Sequence, residues 1–398
     1  MSTRASFPLG ASVTLEALDR DPHPLLDRLR EREPVSFVPA LDGWLVTSHH
    51  LALEVMRDPA GFTVDDPRFS TARVIGPSML SLDGDPHARH RASFVAPFRA
   101  AAVRARFDAA VASEVARLLD SLEPGGGELR RSFAGPLSAS IITRALGLEA
   151  DEVVAVLAWY EAIVGAVTEL TAGNPVTSEG EQAFSALRGR LGAVIDRGER
   201  ASLLATATGT ATATATAADA MLTREQTISN AAVLLFGGIE TTEGMIANAI
   251  LHLLERPDHL ERVRIDAELL DVAIEESLRL EPAAAMIDRY ATADLQLGGA
   301  KIRRGELVRV SISAANRDPA VFPNPAALDL SAANGRRHLA FARGPHVCLG
   351  VHLARLETRT ALASLLDRCP RLRLDPDRPS AVRGLVFRKP PALHVLWS

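Results

Sequence analysis

The chain has 398 residues, of which 47% are hydrophobic and 23% charged, a composition typical of a globular protein with a large core. The formal net charge of -5 leaves no basic excess to neutralise phosphates, which argues against nucleic-acid binding. Two cysteines do not make a secreted disulfide framework, and neither a signal peptide nor a run of about 18 uncharged apolar residues occurs, so we expect a cytoplasmic protein with no membrane partner.

Apolar residues recur at intervals of three and four along most of the chain, so we predict a mainly α-helical fold with small peripheral β-sheets. The helical patterns lie at 25–29, 107–122, 153–167, 184–195, 228–254 and 353–366. Strand-like segments at 34–38, 44–46, 307–312 and 392–396 place β-rich parts near 34–47, 290–313 and 385–397. No Gly/Ser- or Pro-rich linker divides the chain, so we expect residues 1–398 to form a single domain, with the Ala/Thr-rich stretch 205–217 as a surface helix or loop.

The longest predicted helix is the most informative. Thr223 and Gln226 match a capping box and Pro257 ends the pattern, which gives a helix of about 50 Å. Its centre reads Gly237-Gly-Ile-Glu-Thr-Thr242, and each interior glycine costs roughly 1 kcal/mol relative to alanine. That cost is tolerated where another group approaches the backbone closely, either a neighbouring helix or a ligand. A buried carboxylate beside two hydroxyls favours the ligand, because an unpaired buried charge is costly.

A second informative segment surrounds Cys348. Gly344 and Gly350 bracket this cysteine, so the backbone can turn tightly and lie close to a flat cofactor. The helix that follows would point its first N–H groups at the sulfur and stabilise a thiolate. His346 and His352 make a metal site conceivable, but zinc needs further ligands, and a thiol enzyme needs a base that nothing nearby supplies. A haem ligand explains more of the segment than either alternative.

Residues 341–350, FARGPHVCLG, resemble the haem-binding signature of the cytochrome P-450 family: Phe, two residues, Gly, one residue, His or Arg, one residue, Cys, one residue, Gly. The resemblance implies the cytochrome P-450 fold, with a long central helix over a haem b whose iron is bound by Cys348. Phe341, Gly344 and Gly350 would shape the loop beside that haem. The residue after the phenylalanine is usually glycine in this family, whereas here it is Ala342, so the turn could differ slightly.

Two motifs of the same family concern charged residues. Glu276-x-x-Arg279 resembles the structural Glu-x-x-Arg pair of the family, and Arg336 or Arg337 is the expected third partner. A second element, His-x-x-x-Arg, would place two donors one helical turn apart against the haem propionates. By resemblance, the propionate-binding residues are His87, Arg91, Arg289 and His346.

The glycine-rich centre of the long helix resembles the oxygen-activation motif of the family. Thr241 would hold oxygen or a water by hydrogen bonds, and Glu240 would feed protons from solvent through water molecules. Thr242 belongs to the same motif, and Gly237 would border the cofactor. The helix is expected to open locally here, by a π-type bulge or a kink. Because members that use peroxide directly usually lack this acid–alcohol pair, its presence favours O2 and two electrons.

By resemblance, four apolar stretches should line a pocket for a lipophilic substrate. They are the loop before His87, the middle of the long helix, the segment after Pro282 and the last hairpin. The predicted lining residues are Ile75, Met79, Leu80, Val233, Phe236, Ala285, Met286, Ile287, Val386 and Phe387. Glu243 and Asp288 could bring a charge to this pocket.

The resemblance implies a monooxygenase, an oxidoreductase that hydroxylates or epoxidises a small molecule in bacterial secondary metabolism or catabolism. Electrons would come ultimately from NAD(P)H through a separate ferredoxin reductase and ferredoxin. Seven arginines between residues 335 and 372 could form a basic face that attracts an acidic ferredoxin. We expect a monomer. Two alternatives stay open: oxidative coupling or desaturation by the same oxidant, and a haem-thiolate binding protein without turnover.

Overall fold

Helices form most of the described part of the chain, which in this computed structural model comprises residues 7–171, 174–198, 202–204, 221–331 and 335–397. All six predicted helical patterns fall on helices. The helices are α1 Pro8–Ala11, α2 Leu15–Arg20, α3 His23–Arg32, α4 His49–Arg57, α5 Ser70–Ile75, α6 Gly84–Val95, α7 Ala100–Asp120, α8 Gly135–Ala145, α9 Val153–Thr171, α10 Ser178–Arg197, α11 Arg224–Leu254, α12 Pro257–Ile265, α13 Leu269–Leu280, α14 Ile312–Ala315 and α15 Val351–Arg368. The Ala/Thr-rich stretch lies outside the described residues.

The sheets are small. Their strands are β1 Val35–Val38, β2 Gly43–Val46, β3 Phe62–Thr63, β4 Gly126–Glu128, β5 Met286–Ala291, β6 Leu295–Leu297, β7 Ala300–Ile302, β8 Leu307–Ser311, β9 Arg373–Leu374 and β10 His394–Leu396. One sheet has the order β1-β2-β8-β5-β3, a second β4-β10-β9, and a third pairs β6 with β7. Only β2 and β8 run parallel among these pairs, in register Trp44 to Val308. The four strand-like segments of the sequence are therefore confirmed as strands.

The central helix α11 carries the largest part of the core. Its capping box is present in both directions, with Thr223 Oγ1 accepting from the N–H of Gln226 and the Gln226 side chain accepting from Thr223. The helix ends at Leu254, and Pro257 then occupies the first turn of α12. Nearly all of its residues are buried, because α8, α10, α13 and α15 pack around it. A long helix enclosed in this way gives a fixed axis on which site residues are placed.

The Glu276–Arg279 pair holds the segment that leads to the cysteine loop. The guanidinium of Arg279 donates to both carboxylate oxygens of Glu276 at 2.9 and 2.8 Å, and both side chains are almost wholly buried. Arg336 and Arg337 are exposed, so the expectation that one of them is the third partner is wrong. Backbone groups complete the pair instead. The N–H of Asp329 donates to Glu276 at 3.0 Å, and Arg279 also donates to three carbonyls, those of Asn316, Pro325 and Ala327.

A neighbouring ion pair joins α13 to α15. Glu275 accepts two hydrogen bonds from Arg355, both 2.7 Å, and lies 3.2 Å from His338 Nε2. The Arg355 guanidinium also stacks 4.8 Å from the ring of Phe341, the first residue of the cysteine loop. Through His338 and Arg355, Glu275 therefore joins the segments before and after the cysteine loop to α13.

One apolar helix has a different environment from α11. By length and composition alone, one stretch among the described residues, Ala150–Leu170, could cross a membrane, although Glu161 stands near its middle. Its buried side packs against α8 and α10. It also contacts α11, and its residues contribute to the cavity described below.

Candidate active site

The loop before Cys348 is a tight turn held by backbone geometry. The N–H of Cys348 donates to the carbonyl of Phe341 at 2.8 Å, which closes the turn. Gly344 has φ +75°, and a Cβ there would lie 2.2 Å from the Met56 carbonyl oxygen, so only glycine fits. Ala342 adopts φ +54°, a left-handed conformation that alanine rarely takes. The turn therefore forms with alanine in place of glycine, at a cost in strain.

The thiol of Cys348 lies at the start of α15, whose N-cap is Gly350. Burial raises the pKa of this thiol. The N–H of Gly350 and the charges of Arg91 and Arg355 act in the opposite direction and favour the thiolate. The arrangement thus places one sulfur, with donors and positive charge around it, at the edge of the core.

Four side chains near Asp83 form a cationic cluster. His346 Nε2 lies 2.8 Å from Asp83, and its ring centroid is 4.3 Å from that of His87. Burial alone would raise the pKa of Asp83, but the hydrogen bonds from His346 and Thr63 hold that pKa at about 2. Burial, together with the neighbouring His346, lowers the pKa of His87 to about 4. The positive groups of this cluster are Arg91, Arg289 and, when protonated, His87 and His346.

The glycine-rich centre of α11 is a continuous α-helix without a π-turn. Thr241 Oγ1 donates to the carbonyl of Gly237 at 2.6 Å, a side-chain bond that often bends helices. The two glycines serve different purposes. A Cβ on Gly238 would lie 3.1 Å from Ile142 of α8, so this residue permits close helix packing. A Cβ on Gly237 would meet no atom within 4 Å, so this residue borders open space.

Glu240 is not free, because its carboxylate is part of a buried charge cluster that the sequence analysis did not foresee. Lys389 Nζ lies 2.8 Å from Glu240 Oε1 and also contacts Glu243. Arg130 forms a second ion pair with Glu243, with Nε 3.0 Å from Oε1. Glu243, whose direction the sequence left open, therefore faces this cluster. The sequence gives only a weak indication of this charge cluster, namely that Lys389 is one of only two lysines in the chain.

Glycine also explains how Lys389 reaches the helix. A Cβ on Gly244 would lie 2.8 Å from the Cβ of Ala283 and 3.6 Å from that of Lys389. Gly244 stands one turn after Glu240, so its missing side chain lets two crossing segments lie against α11. The C-terminal hairpin thus places Lys389 beside Glu240 of the glycine-rich motif.

The predicted pocket residues separate into groups. Ile75 and Phe236 line an apolar cavity between α5, α9, α10 and α11, together with Tyr160, Ile163 and Leu187, which were not predicted. The rings of Phe236 and Phe387 meet edge to face at 5.5 Å. Other predicted residues pack against the large core cluster, namely Leu80 and Val233.

The remaining predicted residues belong to other clusters. Met79 packs with Phe94 and Leu222. Met286 packs with Leu18 in the N-terminal cluster, and Ile287, on β5, packs against the apolar cluster around the five-stranded sheet. Ala285 and Val386 lie where the last hairpin meets the segment before β5, because the N–H of Ala285 donates to the carbonyl of Val386 at 2.8 Å. Asp288 is paired with Arg309 at 3.1 Å rather than turned to the cavity.

Comparisons with known proteins agree with this geometry. A sequence model of the family described as Cytochrome P-450 matches residues 199–395. Nocardicin C N-oxygenase of Nocardia uniformis subsp. tsuyamanensis is 34% identical, and the alignment covers 98% of each chain. The chain belongs to the cytochrome P-450 family. The cytochrome P-450 monooxygenase PikC of Streptomyces venezuelae is 33% identical over 89% of this chain and 85% of that protein. The ligand-free structure of the P-450 monooxygenase TamI is 32% identical, with a TM-score of 0.83 over 98% of this chain and 95% of that one.

Membership of the cytochrome P-450 family makes the protein an oxidoreductase with a haem-thiolate centre. The residues around Cys348 fit that haem. His87 Nε2 is buried and has no hydrogen-bond partner among the described residues. Arg91 and Arg289 donate to backbone carbonyls, those of Val347 and Asp288, so their charges are left for acidic groups such as propionates.

Two glycines of this cytochrome P-450, one after the cysteine and one on α11, border open space. A Cβ on Gly350 would meet no atom within 4 Å, as on Gly237. One of these glycines follows Cys348 and the other lies on α11. A flat group between the cysteine loop and α11 would therefore meet backbone rather than side chains at both positions.

Proposed function

We propose that this protein is a haem-thiolate monooxygenase that hydroxylates or epoxidises a lipophilic small molecule of bacterial secondary metabolism. The observation that supports the proposal is the closed turn before Cys348 beside the cluster of His87, Arg91 and His346. Bound haem supplies the activation of O2 and the insertion of one oxygen atom into the substrate. The residues of the chain would orient the substrate, deliver protons to the site and exclude water from it.

Cys348 would bind the haem iron through its sulfur, and the donors of the cationic cluster would hold the haem edge. His87, Arg91 and Arg289 would each bond a propionate oxygen, and His346 would share its contact with Asp83. Phe341, Gly344 and Gly350 would shape the turn that presents the Cys348 sulfur to the haem. Charge-assisted bonds of this kind are roughly twice as strong as neutral ones, which anchors the cofactor in one orientation.

Proton delivery is proposed to run through α11. Thr241 donates its hydroxyl proton to Gly237, which leaves the hydroxyl oxygen able to accept a hydrogen bond from a water. Glu240 stands next in the chain and is held in place by Lys389. The Glu240 carboxylate would first take up a proton from solvent and then pass it to such a water, and the hydroxyl can pass it onward by rotating away from Gly237. Thr242 is buried beside them and supports the packing of this turn.

Electrons are proposed to come from NAD(P)H through a ferredoxin reductase and a ferredoxin. The surface near the cysteine loop and on α7 carries exposed arginines, among them Arg99, Arg104, Arg336, Arg337 and Arg371. An acidic ferredoxin would be attracted to this face, with an on-rate that falls as the salt concentration rises. We further propose a cytoplasmic monomer, which size-exclusion chromatography and cell fractionation would test.

The absorption spectrum of the reduced protein under carbon monoxide tests the proposal first. A thiolate-type Soret band is expected for the wild type and for Cys369→Ser, whose cysteine ends α15 in the core. Cys348→His should lose that band. If Cys348→His keeps it, or if the wild type lacks it, the ligand assignment is wrong.

A second experiment tests the proton route. Thr241→Ala should consume electrons at a rate similar to the wild type but release more of them as hydrogen peroxide, because the hydroxyl is removed. The ratio of product to NAD(P)H consumed measures this effect, and Thr241→Ser, which keeps the hydroxyl, should restore most of the coupling. Equal coupling in Thr241→Ala and wild type would remove the role assigned to the hydroxyl.

A further inference from the structure

A second cavity, of about 370 Å³, lies at the base of the C-terminal hairpin. Its volume falls at the lower end of the range found for small-molecule sites. Residues of two short segments line it, 378–383 and 391–394. None of the residues assigned above to the haem, to the proton route or to the substrate pocket belongs to this lining. We call it the C-terminal cavity.

The polar side chains of the C-terminal cavity can all donate hydrogen bonds. They belong to Arg378, Ser380, Arg383 and His394, and no acidic residue of the described chain lines the cavity. The Ser380 hydroxyl oxygen accepts from the N–H of His394 at 3.3 Å, so its own proton is left for another acceptor. A cavity lined by two guanidinium groups and no carboxylate favours an anion.

The two arginines of this cavity differ in their partners. Arg378 Nε donates to Asp375 at 2.8 Å, so the charge of Arg378 is already compensated in part. Arg383 has no side-chain hydrogen bond or ion pair within the part of the chain that the structure describes, although it is half-buried. Withdrawing a guanidinium from water is costly unless an acceptor replaces the water. Arg383 therefore indicates an anionic partner from outside the chain.

A phosphate group fits these donors better than a carboxylate does. A phosphate monoester presents three terminal oxygens that accept hydrogen bonds, whereas a carboxylate presents two. The guanidinium of Arg383 can bind two of these oxygens, and Ser380 and the remaining N–H groups of Arg378 can bind the third. The other residues of the lining are small and apolar, which leaves room for the body of the ligand: Pro379, Ala381, Pro391 and Ala392.

The surroundings of the cavity favour a soluble ligand over a lipid headgroup. Attachment to a membrane surface needs apolar side chains beside the charged site. The large hydrophobic residues that are exposed in the described chain are Leu15, Val154 and Ile265, and none of them belongs to the two segments of the cavity. A phosphate group held here would therefore belong to a molecule that is free in solution.

We propose that the C-terminal cavity binds a soluble phosphomonoester, whose phosphate group is held by Arg383. The backbone of Arg383 pairs with that of Lys389 by two hydrogen bonds of 3.1 Å, and Lys389 in turn contacts Glu240. The ligand is thereby joined through one residue pair to the acid of the proton route. Because the cavity contains none of the haem-binding residues, its occupancy can be measured independently of the proposed monooxygenase activity.

Titration calorimetry of the holoenzyme with ribose 5-phosphate tests the proposal. Ribose, titrated in the same buffer at the same ionic strength, is the probe without a phosphate group. The wild type should bind ribose 5-phosphate with a dissociation constant of about 1 mM or lower, and should show no measurable binding of ribose. Arg383→Gln should weaken the binding of ribose 5-phosphate by about 10-fold, the range of one hydrogen bond to a charged group. Arg383→Lys, which keeps the charge but not the planar guanidinium, should bind with an intermediate affinity.

Arg303→Gln is the matched control. Arg303 is exposed on the turn between β7 and β8, and its side chain forms no ion pair with any residue that the structure describes. This variant should bind ribose 5-phosphate like the wild type. Equal binding by the wild type and Arg383→Gln would overturn the proposal, and so would equal binding of ribose and ribose 5-phosphate. Binding to phosphatidate vesicles without binding of ribose 5-phosphate would also overturn it.

Amide hydrogen exchange locates the bound ligand. Ribose 5-phosphate should slow exchange in the segment 383–389, which contains the paired N–H groups of Arg383 and Lys389, and Arg383→Gln should remove this effect. Protection confined to other segments, such as the one around Cys348, would overturn the proposal. The carbon monoxide spectrum of the same samples reports on haem ligation separately, so a failure of the proposed function can be distinguished from a failure of this inference.

Discussion

Replacing Lys389 by methionine probes the buried charge cluster on α11. The lysine side chain is 11% exposed and contacts two carboxylates, Glu240 and Glu243, that are 9% and 7% exposed. Methionine keeps most of the length but leaves the carboxylates with one cation fewer. Breaking a buried ion pair costs about 3–5 kcal/mol, because a charge is left uncompensated. Since Arg130 remains 3.0 Å from Glu243, we expect the free energy of unfolding to fall by about 3 kcal/mol, the lower end of that range.

Urea denaturation of the holoenzyme, followed by circular dichroism, measures this loss as a shift in midpoint at constant slope. Lys301→Met is the matched control, because Lys301 is the other lysine and is exposed on β7, and it should change stability by less than about 0.5 kcal/mol. Adding Glu240→Gln to Lys389→Met should recover more than half of the loss, since the stranded charge is removed. A loss below about 1 kcal/mol, or no recovery in the double variant, would refute the reasoning.

Three further predictions concern the loop and the ion pairs that hold it. Ala342→Gly should relieve the left-handed strain at φ +54° and raise stability by up to about 1 kcal/mol, whereas Ala340→Gly should lower it, as thermal unfolding would show. Gly344→Ala should prevent haem retention, measured by the ratio of Soret to protein absorbance, because its Cβ would lie 2.2 Å from the Met56 carbonyl oxygen. Burial opposes ionisation of Glu275, but hydrogen bonds from its partners hold its pKa at about 2, so its stabilisation is complete above pH 4.5 and lost as the pH falls through 2. Glu275→Gln should therefore reduce the loss of stability between pH 4.5 and 2 by about 3 kcal/mol in acid titrations; an unchanged titration would contradict the assignment.

Local spacing was sufficient to predict most of the fold. The capping box of α11 and its central glycines could be predicted from the sequence, because each depends on residues within one or two turns. The same holds for His87 and Arg91, which lie one turn apart on α6. Strand β4 was missed, since Gly126-Gly-Glu128 has no apolar alternation and pairs only because β10 reaches it from the other end of the chain.

Contacts between distant parts of the chain could not be predicted in this way. The third partner of Glu276 and Arg279 was expected to be an arginine, but backbone groups fill that position, and a sequence does not show where its carbonyls point. Lys389 meets Glu240 across 149 positions, and no period in the sequence relates the two. Tyr160 of α9 was not predicted as a cavity residue, because helical periodicity does not show which helices meet around a side chain.

The lysine pair also determines how this protein can be attached to a surface. Lys389 is enclosed by carboxylates, so its amine is protected from acylating reagents, while Lys301 is open to them. Ester-activated supports and amine-directed fluorophores would therefore couple, among the side chains, through a single position on β7. The arginine-rich face would remain unmodified, because guanidinium groups do not react with such esters. A tethered preparation would hold its molecules in a uniform orientation wherever Lys301 is the point of attachment.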